Sequence, residues 1–321
     1  MVRIASDLWE TTVPWIDRAD ADIASYVKSV PPETDFDLYE KLARWQSDGV
    51  VIFENCVDKS LMESLLEDIE YLKLHSQEYD LLMEIRGKQK EIKEITQEEL
   101  SSPGLKFNSI HTISKVAAKL SVTSVISRFL CHVFKDNPVL LQSLTFFKGS
   151  EQPVHIDYPY VRTQKEIAKL AASWIPLEDI HPDSGPLAYY IGSHKIDVSG
   201  FFDWGNGSIV MEPDSSRNAS EFAEYLEAKL RLHGVEQRTF CPKAGDALIW
   251  HGNLIHGGTP IKNRELTRKS YVSHYTSLSA YPEDYKTKDA FEQQRFVENG
   301  GGYVFEFPWV VRNAKLPSFY T

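Results

Sequence analysis

The stretch QPVHIDYPY, residues 152–160, sets His155 and Asp157 on either side of one isoleucine. On an extended strand residues i and i+2 share a face, so an imidazole and a carboxylate would enter one cavity. They could serve there as a hydrogen-bonded pair, an acid–base pair or two ligands of one metal. A second stretch, KAGDALIWHGNLIHGGTP (243–260), carries His251 and His256, each followed directly by glycine. A lone histidine beside a strand is more often a packed or hydrogen-bonded residue than a ligand. Two imidazoles and one carboxylate together are another matter: they make the facial triad of non-haem Fe(II) oxygenases, which leaves one face of the metal for a cosubstrate and O2. The same donors also form a catalytic zinc pattern. Arg268, in NRELTRKSYVSHY (263–275), separates the two chemistries. An arginine beside a metal can grip a distal carboxylate bidentately; 2-oxoglutarate requires such an anchor and a hydrolytic zinc site does not. A surface arginine at a strand end is the plainer alternative.

These residues need a scaffold, and the patterning supplies one. From residue 138 the chain breaks into short apolar or aromatic runs, VLLQSLTFF, KLAASWIPL, PLAYYI, DALIWHG and KSYVSHYTSL, punctuated by Gly, Pro or Asp. Many short strands at modest spacing predict an antiparallel sandwich or barrel rather than alternating βα units. Within 196–235, read as an insertion, Asn218 and Glu221 stand at capping-box spacing, Phe222, Leu226 and Leu230 form a stripe, and Gly234 ends a helix. The N-terminal half reads differently. Residues 1–36 form an arm; 37–57 is a helix entering a short strand through Gly49; 58–75 is an amphipathic helix with Ser60 and Glu63 at capping-box spacing. The mostly charged run 84–99 reads as a solvated helix or surface loop. With no linker visible, 37–321 is expected to be one domain with a β-core at about 138–278.

The 321 residues are 42% hydrophobic, enough for a sizeable core. A net charge of −11, from 35 basic and 46 acidic residues, argues against nucleic acid or an anionic membrane as the main partner. Cys56, Cys131 and Cys241 are widely spaced and form no CxxC, which disfavours a disulfide framework or zinc knuckle. Without a signal-like N-terminus or a membrane-length apolar run, a soluble, cytoplasmic protein is expected.

HIDYPY, WIPLEDIHPDSGPLAYYIGSHK and GDALIWHGNLIHGGTP followed by Arg268 resemble, in order and spacing, the phytanoyl-CoA dioxygenase family of Fe(II)/2-oxoglutarate-dependent oxygenases. The likeness runs from about Asp48 to Tyr275. It implies a double-stranded β-helix, or jelly-roll, mainly β with flanking helices. It places the metal ligands at His155, Asp157 and His256, leaves His251 to support the strand, and places the 2-oxoglutarate anchor at Arg268. It also implies that Trp174 lines the cosubstrate pocket, that Gln142 makes a polar contact from the neighbouring strand, and that Tyr160 faces the substrate. Lys148 reads as a solvated strand-end lysine, and His194 as a locally hydrogen-bonded residue. The chain departs from the family at Gly258, where a cosubstrate-binding serine is common and Thr259 is the nearest substitute, and in setting Arg268 one residue further along. The cofactors implied are Fe(II), 2-oxoglutarate and O2; the expected reaction is hydroxylation of a small molecule with release of succinate and CO2. Halogenases of the family typically have Gly or Ala at the place of Asp157. Rival expectations are a non-oxidative cupin-like metalloenzyme and a catalytically silent metabolite binder. Phe201, Phe202 and Trp204, with Gly205 and Gly207, together with Tyr158–Arg162, are candidates for a lid, with simple core packing as the alternative.

Overall fold

The computed structural model describes residues 13–85, 87–100, 102–161, 168–201, 203–205, 211, 214–281, 301–305 and 316. Its helices are α1 (Ile23–Ser29), α2 (Leu38–Asp48), α3 (Lys59–Leu74), α4 (Gln97–Leu100), α5 (Lys115–Ser121), α6 (Ser124–Phe134) and α7 (Ala219–His233). The strands are β1 (Val50–Phe53), β2 (Leu82–Ile85), β3 (Lys88–Glu91), β4 (Leu105–Asn108), β5 (Pro138–Phe146), β6 (Ala171–Pro176), β7 (Leu187–Tyr190), β8 (Gln237–Phe240), β9 (Ala247–His251), β10 (His256–Gly258) and β11 (Ser270–Ser277). They form a large sheet ordered β1-β9-β6-β11-β5-β4-β2-β3 and a small sheet ordered β10-β7-β8. Every pairing between named strands is antiparallel.

Period-two alternation divides the large sheet into two unlike faces. Val50, Phe146, Trp174, Leu248, Trp250 and Val272 turn inward and meet Leu187, Tyr189 and Phe240 of the small sheet, which makes the jelly-roll interior. Val51, Ala171, Ile175, Ile249, Tyr271 and Tyr275 turn outward, under Leu42, Trp45, Leu65, Ile69, Leu120 and Phe129 of the helices. A seam of hydroxyls stitches α5 to that outer face: Tyr271 donates to the Ala117 carbonyl at 3.0 Å, Ser273 to Ser121 Oγ at 2.9 Å, and Tyr275 to the Ser121 carbonyl at 2.5 Å.

The local signals mostly act as their chemistry requires. Asn218 and Glu221 close the expected capping box on α7, and Gly234 ends it in the left-handed conformation. Gly49 ends α2 at φ 74°, and a Cβ there would lie 2.4 Å from His194 Nδ1, so only glycine lets the chain turn into β1 at this point. Described arm residues lie on the body: Trp15 donates to the His132 carbonyl at 2.9 Å, and Gln46 to that of Ile16 at 2.9 Å.

Three expectations are corrected. The N-cap of α3 is Asp58, whose carboxylate accepts from the Ser60 amide at 2.8 Å, so Ser60 lies inside the helix. The charged run 84–99 is no free helix or loop: β2 and β3 form a hairpin joined to the large sheet through β4. Met83 is buried while Lys88 and Gln89 are exposed, so the charges guard the sheet's edge and cross-pair, as in the Lys106–Glu84 contact at 2.9 Å. Because β1 to β4 all belong to the large sheet, the β-core also extends beyond 138–278.

Candidate metal centre

His155 and His256 exchange backbone hydrogen bonds, His155 N–H to the His256 carbonyl at 2.9 Å and the reverse at 3.0 Å. This antiparallel bridge sets the two rings on one side, with centroids 4.3 Å apart. The HxD stretch is not the strand expected from its alternation. Pro153 and Pro159 supply no N–H for a ladder, and Asp157 opens a turn, accepting at its carbonyl from the amides of Tyr160 and Val161. Its own amide donates to the Gly252 carbonyl at 3.0 Å, which returns the carboxylate to the side of the histidines. Gly257 and Gly258 permit the close approach: a Cβ at 257 would stand 2.9 Å from the Gln152 carbonyl oxygen, and one at 258 would stand 2.7 Å from Ser150 Oγ. A serine at 258 would also place its Cβ 2.9 Å from the Glu151 backbone nitrogen. The Thr259 hydroxyl is committed to the Pro186 carbonyl at 2.9 Å.

One ligand atom from each of His155, Asp157 and His256 falls within a 4.8 Å set. The tautomers follow from the backbone. His155 Nδ1–H donates to the Pro153 carbonyl and His256 Nδ1–H to that of Leu254, both at 2.9 Å. Each ring therefore keeps its Nε2 lone pair free for a metal, the second-sphere arrangement usual for metal-bound histidine. The Gln152 amide stands 3.3 Å from the His155 lone pair, consistent with an acceptor at that atom. Asp157 Oδ2 accepts from Trp250 Nε1–H at 2.8 Å, while Oδ1 lies 3.6 Å from His256 Nε2 and 3.5 Å from His274 Nε2. Desolvation, then repulsion from His256, lowers the His155 pKa to about 3. Burial would raise that of Asp157, but His256 and His274 hold it well below the usual carboxylate range. A neutral imidazole at His155 and an ionised carboxylate at Asp157 are donor states a divalent cation needs.

Arg268 is 3% exposed at the entrance to β11, with its guanidinium carbon 5.3 Å from the Phe146 ring and 5.6 Å from that of Trp174. Among the described residues it makes no ion pair and its Nε has no hydrogen-bond partner; burial lowers its pKa to about 10. Trp174 lies on the same inner wall. Gln142 faces inward opposite His274, and the Tyr160 ring stands edge-on to His155 at 5.9 Å. Lys148 bonds the Arg264 carbonyl in the surface loop. His251 turns to the outer face, where Asn253 N–H donates to its Nδ1 at 2.9 Å and its Nε2–H contacts Asp17 Oδ2 at 3.2 Å. His194 departs from its expected local bond: its Nδ1 is buried without a partner among the described residues, its ring hydrogen-bonds the distant Gln46 backbone instead, and its carbonyl accepts from Asn253 at 2.7 Å. The arm side of His251 borders a cavity of about 510 Å³, lined also by Asp17, Gln46, His194 and Lys195 and separate from the metal donors.

Phe201 and Trp204 are buried with Phe222 and Leu226 behind Ile156 and Tyr158, so these two aromatics pack as core. Phe202, Gly207 and Arg162 lie outside the described residues. Two contributors escaped the sequence reading: Trp250 and His274. Strand parity could have found His274, an even step from Arg268, and Trp250, which faces opposite to His251.

A family model, Phytanoyl-CoA dioxygenase (PhyH), matches residues 45–270. The chain belongs to this family. Phytanoyl-CoA dioxygenase domain-containing protein 1 of Danio rerio is 26% identical over 145 residues, 43% of this chain and 45% of the relative. Its Caenorhabditis elegans homolog is 22% identical over 171 residues, 52% of this chain and 56% of the relative. The chain thus spans about half the length of the curated relatives it matches. Among solved structures, EctD from S. alaskensis with 2-oxoglutarate and 5-hydroxyectoine has a TM-score of 0.54 at 16% identity, covering 90% of this chain and 88% of EctD. The epimerase SnoN in complex with Fe3+, alpha ketoglutarate and nogalamycin RO has a TM-score of 0.52 at 16% identity, covering 75% and 83%. At such identities the likeness shows the fold, which is the double-stranded β-helix of Fe/2-oxoglutarate enzymes carrying an HxD…H donor set.

Proposed function

We propose that the protein is an Fe(II)- and 2-oxoglutarate-dependent oxygenase that hydroxylates a small molecule. The observation that carries this reading is the pairing of two features in one interior. The three donors, beside Trp250, and a buried guanidinium with no counter-charge among the described residues, beside Phe146 and Trp174, border the same interior cluster. A structural histidine cluster needs no such arginine, and hydrolytic zinc gives it no task. A dicarboxylate bound to the metal at one end gives it a partner.

His155, Asp157 and His256 would hold the iron, which with 2-oxoglutarate and O2 supplies the oxidising chemistry and yields succinate and CO2. Arg268 holds the distal carboxylate, and Ser270 Oγ, buried without a partner among the described residues, is the adjacent donor for it. Phe146 and Trp174 exclude water around that ion pair and so strengthen it. Tyr160, half-buried and edge-on to His155, lines the substrate side. A cytoplasmic setting belongs to the same proposal, since three widely spaced cysteines with no CxxC do not suggest a disulfide framework.

The test is anaerobic loading with Fe(II) and 2-oxoglutarate, then O2 with ascorbate and a panel of small substrates, following succinate and product mass. Succinate formation coupled to a product 16 mass units heavier than its substrate is expected for oxygen insertion. A product of unchanged mass points instead to epimerisation, the activity stated for SnoN, and one lighter by two hydrogens points to ring closure or desaturation. No dependence on 2-oxoglutarate under any condition overturns the reading.

A further inference from the structure

His274 is the inward residue of β11 that the site as described leaves without a task. It is 4% exposed, lies opposite Gln142 on β5 and Ala172 on β6, and stands edge-on to Trp250 with centroids 6.4 Å apart. Its two nitrogens face different partners: Nδ1 is 3.3 Å from Gln142 Nε2, and Nε2 is 3.5 Å from Asp157 Oδ1. His256 Nε2 also faces this carboxylate, at 3.6 Å, but its proton is held on Nδ1 by the Leu254 carbonyl and a bound metal would stand between the two acceptors. His274 has no such carbonyl at Nδ1 among the described residues and is no metal ligand, so its Nε2 carries the proton, since two lone pairs would repel. That leaves Nδ1 to accept from the Gln142 amide, which also fixes the amide's orientation.

We propose that His274, oriented by Gln142, is a positioning residue that holds Asp157 as a one-oxygen metal ligand. Trp250 takes Oδ2 at 2.8 Å, so the metal is left with Oδ1, and the His274 N–H reaches that same oxygen from the sheet side. Held between indole and imidazole, the carboxylate resists the rotation that would bring both oxygens onto the metal and consume a position the cosubstrate needs. Gln142 thereby acquires a role besides the cosubstrate contact expected from the family resemblance: it sets the tautomer of His274. The inference rests on the metal-centre reading and extends it to residues that touch no metal.

The experiment is Co(II) titration of the full chain without cosubstrate, followed by ligand-field absorption, for wild type, His274→Phe, His274→Gln and Gln142→Leu, with apo-protein melting as the folding control. Loss of a hydrogen-bond partner behind a metal ligand typically weakens binding by about 10–100-fold. His274→Phe should fall in that range with a shifted absorption envelope, while His274→Gln, whose amide nitrogen can occupy the place of Nε2, should recover most of the affinity. Wild-type affinity and spectrum in His274→Phe overturn the proposal, as does a His274→Gln variant that folds yet binds as weakly as His274→Phe. Should His274→Phe not fold, Gln142→Leu decides: weakened binding supports the role and unchanged binding overturns it. A wild type that takes up no Co(II) overturns the metal-centre reading itself, and this role with it.

Discussion

The two faces of β11 treat their polar atoms in opposite ways. On the outer face the hydroxyls of Tyr271, Ser273 and Tyr275 are all bonded to α5 or to each other's partners. On the inner face, Arg268 Nε and Ser270 Oγ are buried without partners among the described residues. Folding normally avoids such atoms, because each costs about 1–3 kcal/mol. One face is finished when the chain folds, and the other is built to be finished by something else. Alternate residues along one strand thus separate the scaffold's demands from the ligand's.

Substitutions on the two faces should then fail in different assays. The largest effect is expected at the donors: His256→Ala should abolish Fe(II) or Co(II) uptake and turnover together, whereas His251→Ala, on the outer face, should retain the metal. Full occupancy in the former would show the wrong histidine has been assigned. Next comes Arg268→Met. Breaking a buried charge pair costs about 3–5 kcal/mol, so the KM for 2-oxoglutarate should rise by roughly two to four orders of magnitude. The apo protein should melt no lower than wild type, since the lost charge had no partner there; a fall in melting temperature would mean the arginine is scaffold.

Tyr275→Phe sharpens the comparison from the other side. Its hydroxyl bonds the Ser121 carbonyl and sits 2.9 Å from Ser173 Oγ, so removal should cost about 1–3 kcal/mol in denaturant unfolding. The KM for 2-oxoglutarate should not move. The smallest effect is expected from Asp17→Ala, which removes the contact to His251: about 1 kcal/mol of stability and a loss of Co(II) affinity smaller than that of His274→Phe. Equal losses in the two variants would erase the distinction between the faces.

Much of this division was legible in the sequence, through parity. HxD, the glycine-flanked His256 and the strand-opening Arg268 carry their roles in residue type and spacing, and the α7 cap and stripe are local chemistry. What stayed hidden depends on contacts distant in sequence. The hairpin β2–β3 carries charges because it is a sheet edge, and a charge run reads identically whether it guards an edge or floats in solvent. Asp58 displaced Ser60 as the cap of α3 because both can accept from a helix N-terminus and spacing alone does not choose between them. Trp250 and His274 looked like ordinary strand residues, since what distinguishes them is Asp157, far away along the chain.

The Asp17–His251 contact spans 234 residues, and that distance has a meaning in time. At a synthesis rate of roughly 5–20 residues per second, Asp17 emerges about 10–50 s before the histidine it holds. The turn that presents His256 is thus tied to one of the first described segments of the chain by one of the last strands to arrive. For roughly 5–20 s, while the stretch from His155 to His256 is made, a nascent chain offers His155 and Asp157 without their third companion, a weak chelate open to any passing cation. Closure of the β9–β10 turn onto the waiting arm would end that interval, making correct metal loading a late event in the birth of the protein.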